Sequence, residues 1–557
     1  MAIILGRLNN MEITNLSKIR REKMLHTINE IKKNIADEET LNNLSLIENE
    51  LTKKKYGLIW EEHEERVDKE LETKIPVFED IKSKEIKNKD ENEYNFILEG
   101  DNLHSLYLLE KTHRNKIGCI YIDPPYNRGK DDFIYNDNFV VAEDGYRHSK
   151  WLSFMGRRLE LAKRLLRDDG LIFISIDDYE YAQLKLLCDS IFGEENFINM
   201  FIWQRNSSGK TEKDKFTVNT EYVLLYSKSA NYKLNEAYKP LSDGTRAMYS
   251  KNDNDGRGNY RLYPLQKPGN PGPETTYDYV DNNGKVWPCP AKGWRIKQSK
   301  LKALENDGRL YLEGKSLSEK AYWNERSSEG KRVDTLWNDL PENSSASKEI
   351  EIIFGEKGIF NNPKPTELIK RCIQISPKDS IVLDFFVGSG TTAQAVLELN
   401  KEDGGSRKYI VCTNNENNIC EDVTYRRIKT VISGKRNDNT KYSDGIKSNL
   451  KYYRTAYVPR INTDEENLSK NLMVNIKNLI QLENGIEIDD KIVRVILTEE
   501  EIDKFTTNEE ELNECEKLYI SSDILLTSKQ SQIFKDYNIE VFIIPEYYFE
   551  DEIREVA

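Results

Sequence analysis

The sequence predicts an α/β protein. One doubly wound, mostly parallel sheet is interrupted by an inserted module, with a helical region before it and an α+β accessory region after it. Three observations carry this reading. Short, continuously apolar runs such as Ile117-Gly118-Cys119-Ile120-Tyr121-Ile122 end in polar turns, as strands covered on both faces do. Helix-length segments alternate with these runs, which is the pattern of βαβ units. The alternation stops near residue 231 and resumes near 351, so one α/β domain is split along the chain.

Taken in order, residues 1–93 are polar, charged and helical in pattern, and read as an N-terminal appendage or a dimerisation arm. Met24, Ile28, Ile31 and Ile35 recur at helical spacing and share one face. Glu61 to Lys74 reads as a solvated helix, and Lys82 to Glu93 as a charged linker. Residues 94–230 open the α/β pattern. Phe96-Ile97-Leu98 leads into Glu99-Gly100-Asp101, and the strand Ile117–Ile122 follows a Leu-rich helix. A helix over Lys150–Arg167 is expected to stop at Asp169-Gly170, before a strand over Leu171–Ile176. A helix over Tyr179–Phe192 and strands near Met200–Gln204 and Tyr222–Tyr226 complete this half.

Residues 231–350 carry prolines at 240, 264, 268, 271, 273, 288 and 290, which breaks the chain into short segments joined by turns. Residues 351–430 restore the pattern with a helix from Pro365 to Ile375, a strand Ile381–Phe386, a helix Thr391–Leu399 and a strand Tyr409–Cys412. Residues 431–557 form the last region. Strand-like runs at Ile492–Leu497 and Val541–Ile544 argue for a folded domain over an acidic tail.

Charge is distributed unevenly. The 557 residues carry a formal charge of −14, which as a uniform property would oppose binding to an anionic polymer. Residues 461–557 hold 9 Lys+Arg against 24 Asp+Glu, so the rest of the chain is near neutral. No apolar run reaches the roughly 20 residues needed to cross a bilayer, and the N-terminal apolar patch is too short for a signal peptide. A cytoplasmic protein is expected. The 7 cysteines lack CxxC spacing, so neither a disulfide framework nor a structural metal is expected.

Two motifs carry chemistry. Asp123-Pro124-Pro125-Tyr126 follows the strand Ile117–Ile122 directly, at the carboxyl end where ligands sit in open α/β sheets. Prolines stiffen this turn. Methyl transfer to the exocyclic amine of a base needs acceptors on the amine hydrogens together with in-line geometry. The Asp123 carboxylate and the Pro124 carbonyl supply two such acceptors, and Tyr126 a flat surface for an extruded base. The second motif, Asp384-Phe385-Phe386-Val387-Gly388-Ser389-Gly390-Thr391-Thr392, runs from a strand through a glycine turn into a helix, where the backbone can approach a nucleoside. It satisfies neither GxxxxGK[ST] nor GxGxxG. Gly209-Lys210-Thr211 mimics the end of a phosphate loop but lacks its first glycine.

In that chain order the two motifs resemble the beta class of S-adenosylmethionine-dependent DNA adenine-N6 methyltransferases, whose catalytic half precedes the cofactor half. Further blocks extend the likeness over roughly residues 94 to 430, among them His148-Ser149-Lys150-Trp151-Leu152, Glu221 to Ser227, Thr335-Leu336-Trp337 and Pro363-Lys364-Pro365-Thr366. Together they resemble the Mod subunit of type III restriction-modification systems. The resemblance implies a Rossmann-like, permuted methyltransferase fold, S-adenosylmethionine as cofactor, double-stranded DNA as substrate, a homodimer, and a helicase-nuclease Res subunit as a possible partner.

Carried over residue by residue, the resemblance makes Asp123, Pro124, Pro125 and Tyr126 catalytic. It assigns Asp384, Phe386, Gly388, Ser389, Gly390 and Thr391 to the cofactor turn, Lys364 and Pro365 to the segment over the methionine end, and Asp101 to the cofactor adenine. Asn415 and Glu416 are both candidates for the ribose hydroxyls. One departure is Arg128, where threonine is expected; it either meets DNA or is solvated. Asp123, where the cytosine-N4 class more usually has serine, favours adenine. Residues 231–350 then read as the target-recognition domain, and Trp294, Arg295, Arg326 and Arg332 as its candidate DNA contacts, a mix suited to base edges and stacking. The acidic residues 461–557 are expected to face away from the duplex. A non-catalytic DNA-reading scaffold is the alternative from a different class, and the intact motifs argue against it.

Overall fold

A computed structural model of the chain describes residues 16–33, 37–52, 60–61, 63–129, 132–135, 138–142, 144–208, 216–239, 243–269, 271–326, 330–460, 465–488, 491–544 and 546–554. It divides into two compact units, residues 1–62 and 63–557. The first is a helix pair, Leu16–Lys32 and Glu38–Thr52, pinned by Lys32 Nζ, which donates to Glu48 at 2.6 Å and to Ser45 at 2.9 Å. Ile28 of the expected apolar stripe is buried, Met24 and Ile31 are exposed, and Ile35 lies outside the described residues.

The second unit is organised by a ten-stranded sheet. Its strands run, edge to edge, Lys74–Asp80, Asn449–Pro459, Tyr94–Glu99, Lys408–Thr413, Ile381–Asp384, Ile117–Ile122, Leu166–Ile176, Thr220–Ser227, Phe197–Gln204 and Leu336–Trp337. From Asn449–Pro459 to Leu166–Ile176 all neighbours are parallel, and Lys74–Asp80 and Thr220–Ser227 join antiparallel. The parallel strands are buried on both faces, which is why they read as unbroken apolar runs. Leu368, Ile369 and Cys372 of helix Thr366–Ile375 and Ala393, Val396 and Leu397 of helix Thr391–Asp403 pack on one face. At the rough worth of 1.5–3 kcal/mol per fully buried aliphatic side chain, this core dominates the unit's stability.

Several expectations are corrected. The segment expected as a solvated helix holds a short helix, Arg66–Thr73, with Val67 buried, followed by the edge strand Lys74–Asp80. The charged stretch after it is no linker: Ile86 pairs with Leu450, and the Asn88 amide donates to Asn449 at 2.5 Å. Alternating Ile75, Val77 and their neighbours need a covered sheet edge, and charge density alone hid that. Helix Arg147–Leu165 ends before Asp169-Gly170, which lie inside the strand Leu166–Ile176. Leu336–Trp337 pairs with Phe197–Gln204, so the main sheet resumes before residue 350.

The C-terminal region also differs from the α+β expectation. Asn449–Pro459 belongs to the main sheet, and helix Glu465–Asn484 packs beside the strand Lys74–Asp80, with Asn478 Nδ2 donating to the Phe78 carbonyl at 2.6 Å. The strands Val493–Ile496, Lys517–Ser521 and Glu540–Ile544 form a small parallel sheet with intervening helices, an α/β unit whose core includes Phe505, Leu518, Ile520 and Phe534. The inserted module has its own core of Leu265, Tyr279, Trp287, Trp294 and Leu301. Among the described residues no helix is long and apolar enough to cross a membrane. All seven cysteines are free thiols.

Candidate active site

Four adjacent parallel strands, Tyr94–Glu99, Lys408–Thr413, Ile381–Asp384 and Ile117–Ile122, release their chains at one edge of the sheet. Their carboxyl ends therefore bring together Asp101, Glu416, Phe386 with Gly388, and Asp123, which line a cavity of about 850 Å³. This is where an open α/β sheet binds ligands. Phe133, Phe154 and Phe386 give it aromatic walls, and among the described residues the carboxylates of Glu65, Asp101, Asp123, Asp132 and Glu416 outnumber its one cation, Arg66. A nucleoside bearing a positive charge suits that lining.

Helix Asn102–His113 is capped by Asp101, whose carboxylate accepts from the Leu103 amide at 2.8 Å. Below it lies Arg158, fully buried, which donates to Glu65 at 2.7 and 3.1 Å and to Asn102 at 2.5 Å. Asn102 in turn donates to the Phe385 carbonyl at 2.9 Å, so Arg158 ties the cavity floor to the glycine turn.

That turn is shaped by two left-handed glycines, Gly388 at φ +50° and Gly390 at φ +83°. A Cβ on Gly390 would lie 3.2 Å from the Thr424 carbonyl. Asp384 does not line the cavity. Its buried carboxyl accepts from the Phe386 amide at 2.9 Å and from the Thr392 hydroxyl, and burial pushes it up to about 7. Arg427, also buried, donates to Ser389 at 3.0 Å and to Thr391 at 2.7 Å. Asp384, Ser389 and Thr391 thus hold the turn's shape, while Phe386 and Gly388 face the ligand space.

Asp123 separates this space from a second cavity of about 150 Å³, lined also by Pro124, Tyr126, Glu221, Arg205 and Lys364. Lys364 Nζ is buried among acceptors, 2.9 and 3.0 Å from the Asp123 oxygens, 2.7 Å from Tyr126 Oη and 3.2 Å from Glu221. Tyr126 Oη donates to Asp123 at 2.7 Å. Burial alone would lower the Lys364 ammonium, but Asp123 and Glu221 outweigh it and hold it above its ordinary value. Burial likewise works to raise Glu221, and Lys364 and Arg205 instead hold it below the usual carboxylate range. A carboxylate at the boundary of two cavities, with acceptor capacity left over, can accept an amine hydrogen from one side while facing a reactant on the other.

The expected site residues fare differently. Asp123, Pro124, Pro125, Tyr126, Asp101, Phe386, Gly388 and Glu416 all reach the two cavities. Asn415 does not: its Oδ1 accepts from the Cys420 and Glu421 amides at 3.1 and 3.2 Å and is used as a turn cap. Lys364 lines the small cavity rather than the large one expected, and Pro365 starts the helix Thr366–Ile375. Tyr126 is a buried wall, with Arg128 and Lys364 against its ring. Arg128 is partly exposed and engaged within the chain: its Nε donates to Asp177 at 2.6 Å. Trp294 is a core residue, not a base contact, because it is buried and its indole donates to the Tyr277 carbonyl at 2.6 Å. Arg295 is exposed, Arg332 pairs with Glu236 at 3.0 Å, and the side chain of Arg326 and residues 209–211 lie outside the described residues. Glu221, Arg205 and Arg158 were missed as site residues. A lone Glu opening an apolar strand, as in Glu221-Tyr222-Val223-Leu224, is the one signal that could have found the first.

A family model described as DNA methylase matches residues 117–457. The StyLTI Mod subunit, a type III restriction-modification enzyme of Salmonella typhimurium, is 34% identical over 401 residues, 66% of this chain and 61% of that protein. The EcoPI Mod subunit of Escherichia phage P1 is 31% identical over 424 residues, 66% of this chain and 65% of its own. The type II methyltransferase M.KpnI of Klebsiella pneumoniae is 36% identical over 367 residues, 61% of this chain and 86% of that enzyme. The chain thus spans less than two thirds of both Mod subunits and most of the Klebsiella enzyme.

Proposed function

Because this chain belongs to the DNA methylase family, we propose that it transfers a methyl group from S-adenosylmethionine to N6 of an adenine extruded from double-stranded DNA, as the modification subunit of a type III restriction-modification system. The observation that carries this reading is the position of Asp123 between a nucleoside-sized cavity and a smaller one. The cofactor, when bound, supplies an electrophilic methyl on a sulfonium centre. Asp101 and Glu416, which line the large cavity, would accept from its adenine amine and ribose hydroxyls, and Phe386 and Gly388 would pack against it.

The target base enters the small cavity. Asp123 accepts one amine hydrogen and the Pro124 carbonyl the other, which localises the nitrogen lone pair for in-line attack on the methyl carbon. With the cofactor bound to supply the methyl carbon, Asp123 would take up the amine proton released on its side. Lys364, 2.9 Å away, orients that carboxylate before transfer. The DNA-reading surface is assigned to the inserted module, and the acidic residues 461–557 are kept off the duplex by repulsion.

Incubation with labelled S-adenosylmethionine and duplex DNA, followed by nucleoside analysis, is expected to give N6-methyladenine. N4-methylcytosine, or no label, would overturn the reading. A homodimer is expected by light scattering. The span of the type II Klebsiella enzyme favours a second reading of partnership alone, in which the chain methylates without a helicase-nuclease subunit. Co-expression with such a subunit and pull-down separates the two.

A further inference from the structure

The catalytic turn is gripped from outside the two cavities, by residues that touch neither. Asn127, immediately after Tyr126, is wholly buried and held in the left-handed region at φ +55°. Asparagine tolerates that region better than most residues, but it stays there only when its surroundings fix it. Its Nδ2 donates to Glu180 Oε1 at 2.5 Å and to the Arg147 carbonyl at 3.2 Å. Glu180 precedes the helix Tyr181–Phe192, at the end of the strand Leu166–Ile176, and is itself fully buried. His148, at the start of helix Arg147–Leu165, places its Nδ1 2.6 Å from the same Glu180 oxygen.

Two further tethers complete the grip. Trp151 Nε1 donates to the Pro125 carbonyl at 2.7 Å, and Asp177 accepts from Arg128 at 2.6 Å. The Pro124 carbonyl, by contrast, receives no hydrogen bond among the described residues, and Pro124 lines the small cavity. The clamp is not cheap. Glu180 Oε2 and Asn127 Oδ1 are both buried without partners, and each such atom costs about 1–3 kcal/mol. A fold selected only for stability would place an apolar residue here, so the two unsatisfied oxygens point to a function for the geometry they enforce.

We propose that Glu180, oriented by His148, is a positioning residue for methyl transfer: through Asn127 it fixes the backbone of residues 124–127, so that the Pro124 carbonyl meets the target amine beside Asp123. The inference rests on the methyl-transfer reading above. Glu180 touches neither base nor cofactor, and it belongs to the transfer step rather than to binding.

The test compares Glu180→Ala, Glu180→Gln, Asn127→Ala and the Glu180→Ala/Asn127→Ala pair in the full-length protein. Readouts are kcat, the KM for duplex DNA, S-adenosylmethionine affinity by calorimetry, and the melting midpoint. Glu180→Ala and Asn127→Ala are expected to lower kcat by roughly 100-fold, the scale of a misplacement of about 1 Å at a reacting centre, with both binding terms unchanged. The double variant should be no slower than either single one, because both break one clamp. Glu180→Gln keeps an acceptor for Asn127 and a polar group for His148, and should restore most of kcat. An unchanged kcat in Asn127→Ala or Glu180→Ala would overturn the proposal, as would a Glu180→Gln enzyme as slow as Glu180→Ala, or a loss carried by cofactor affinity instead of kcat. Should Glu180→Ala fail to fold, Asn127→Ala and Glu180→Gln still decide the matter. A wild-type protein that methylates no DNA removes the reading beneath; a wild-type protein that methylates while the variants match it removes only the clamp.

Discussion

Lys364 Nζ stands 2.9 Å from one carboxylate oxygen of Asp123 and 3.0 Å from the other, although the two residues lie on either side of the inserted module in the chain. The pair joins the segments on the two sides of residues 231–350. A lysine 241 positions further along the chain therefore sets the electrostatics around Asp123.

Asp123→Ala is expected to abolish transfer while cofactor affinity persists, since the large cavity keeps its other walls. Lys364→Met strips Asp123 of its cation while Glu221 keeps Arg205 at 3.0 Å, and should lower kcat by roughly 10²–10³-fold, the range seen when one preorganised charge-stabilising donor is removed. Labelled-methyl transfer and calorimetric binding measure both. An active Asp123→Ala variant would remove that residue from the mechanism.

Asn415 and Glu416 separate cleanly by what each touches. Glu416→Ala removes a carboxylate from the cavity and should weaken S-adenosylmethionine binding about tenfold or more, because hydrogen bonds to charged groups are worth roughly 1.5–3 kcal/mol. Asn415→Ala removes a cap and should lower stability by about 0.5–2 kcal/mol with affinity little changed. Reversed outcomes in calorimetry and denaturant melts would exchange the two roles.

Arg158→Met should be among the most destabilising single changes. It strands the buried Glu65 carboxylate and cuts the link through Asn102 to the glycine turn, and breaking such a pair from one side costs about 3–5 kcal/mol. Urea unfolding at neutral pH measures this. A shift in midpoint corresponding to less than about 1 kcal/mol, the worth of an exposed pair, would mean that water reaches the site.

Asp384 gives a pH prediction whose sign is fixed by burial. Its folded-state value of about 7 lies above the ordinary 3.8, so the folded protein binds this proton more tightly than the unfolded chain. Its contribution to stability is therefore largest below the unfolded value and falls as pH rises toward 7. Asp384→Asn, which cannot ionise, should show a shallower loss of melting midpoint between pH 5 and pH 8 than the wild type. Equal slopes would place the ionisation elsewhere.

Local sequence carried the chain order of the two motifs, the strands that precede their turns and the break in the α/β pattern after residue 230. Apolar runs, prolines and glycines are local constraints, and Ile117–Ile122 or Gly388-Ser389-Gly390 dictate backbone shape whatever surrounds them. The tertiary structure alone decided which side chains serve those motifs. Glu221, Arg158 and Glu180 look like ordinary charged residues in the chain, and gain their partners Lys364, Glu65 and Asn127 only because the fold brings distant segments together. It also decided that Trp294 is core, that Arg128 is engaged by Asp177, and that the charged stretch after Asp80 lines a sheet edge. The reason is physical. Burial and partnership are properties of pairs of segments, and a charge's role depends on the partner that compensates it, which no window of sequence contains.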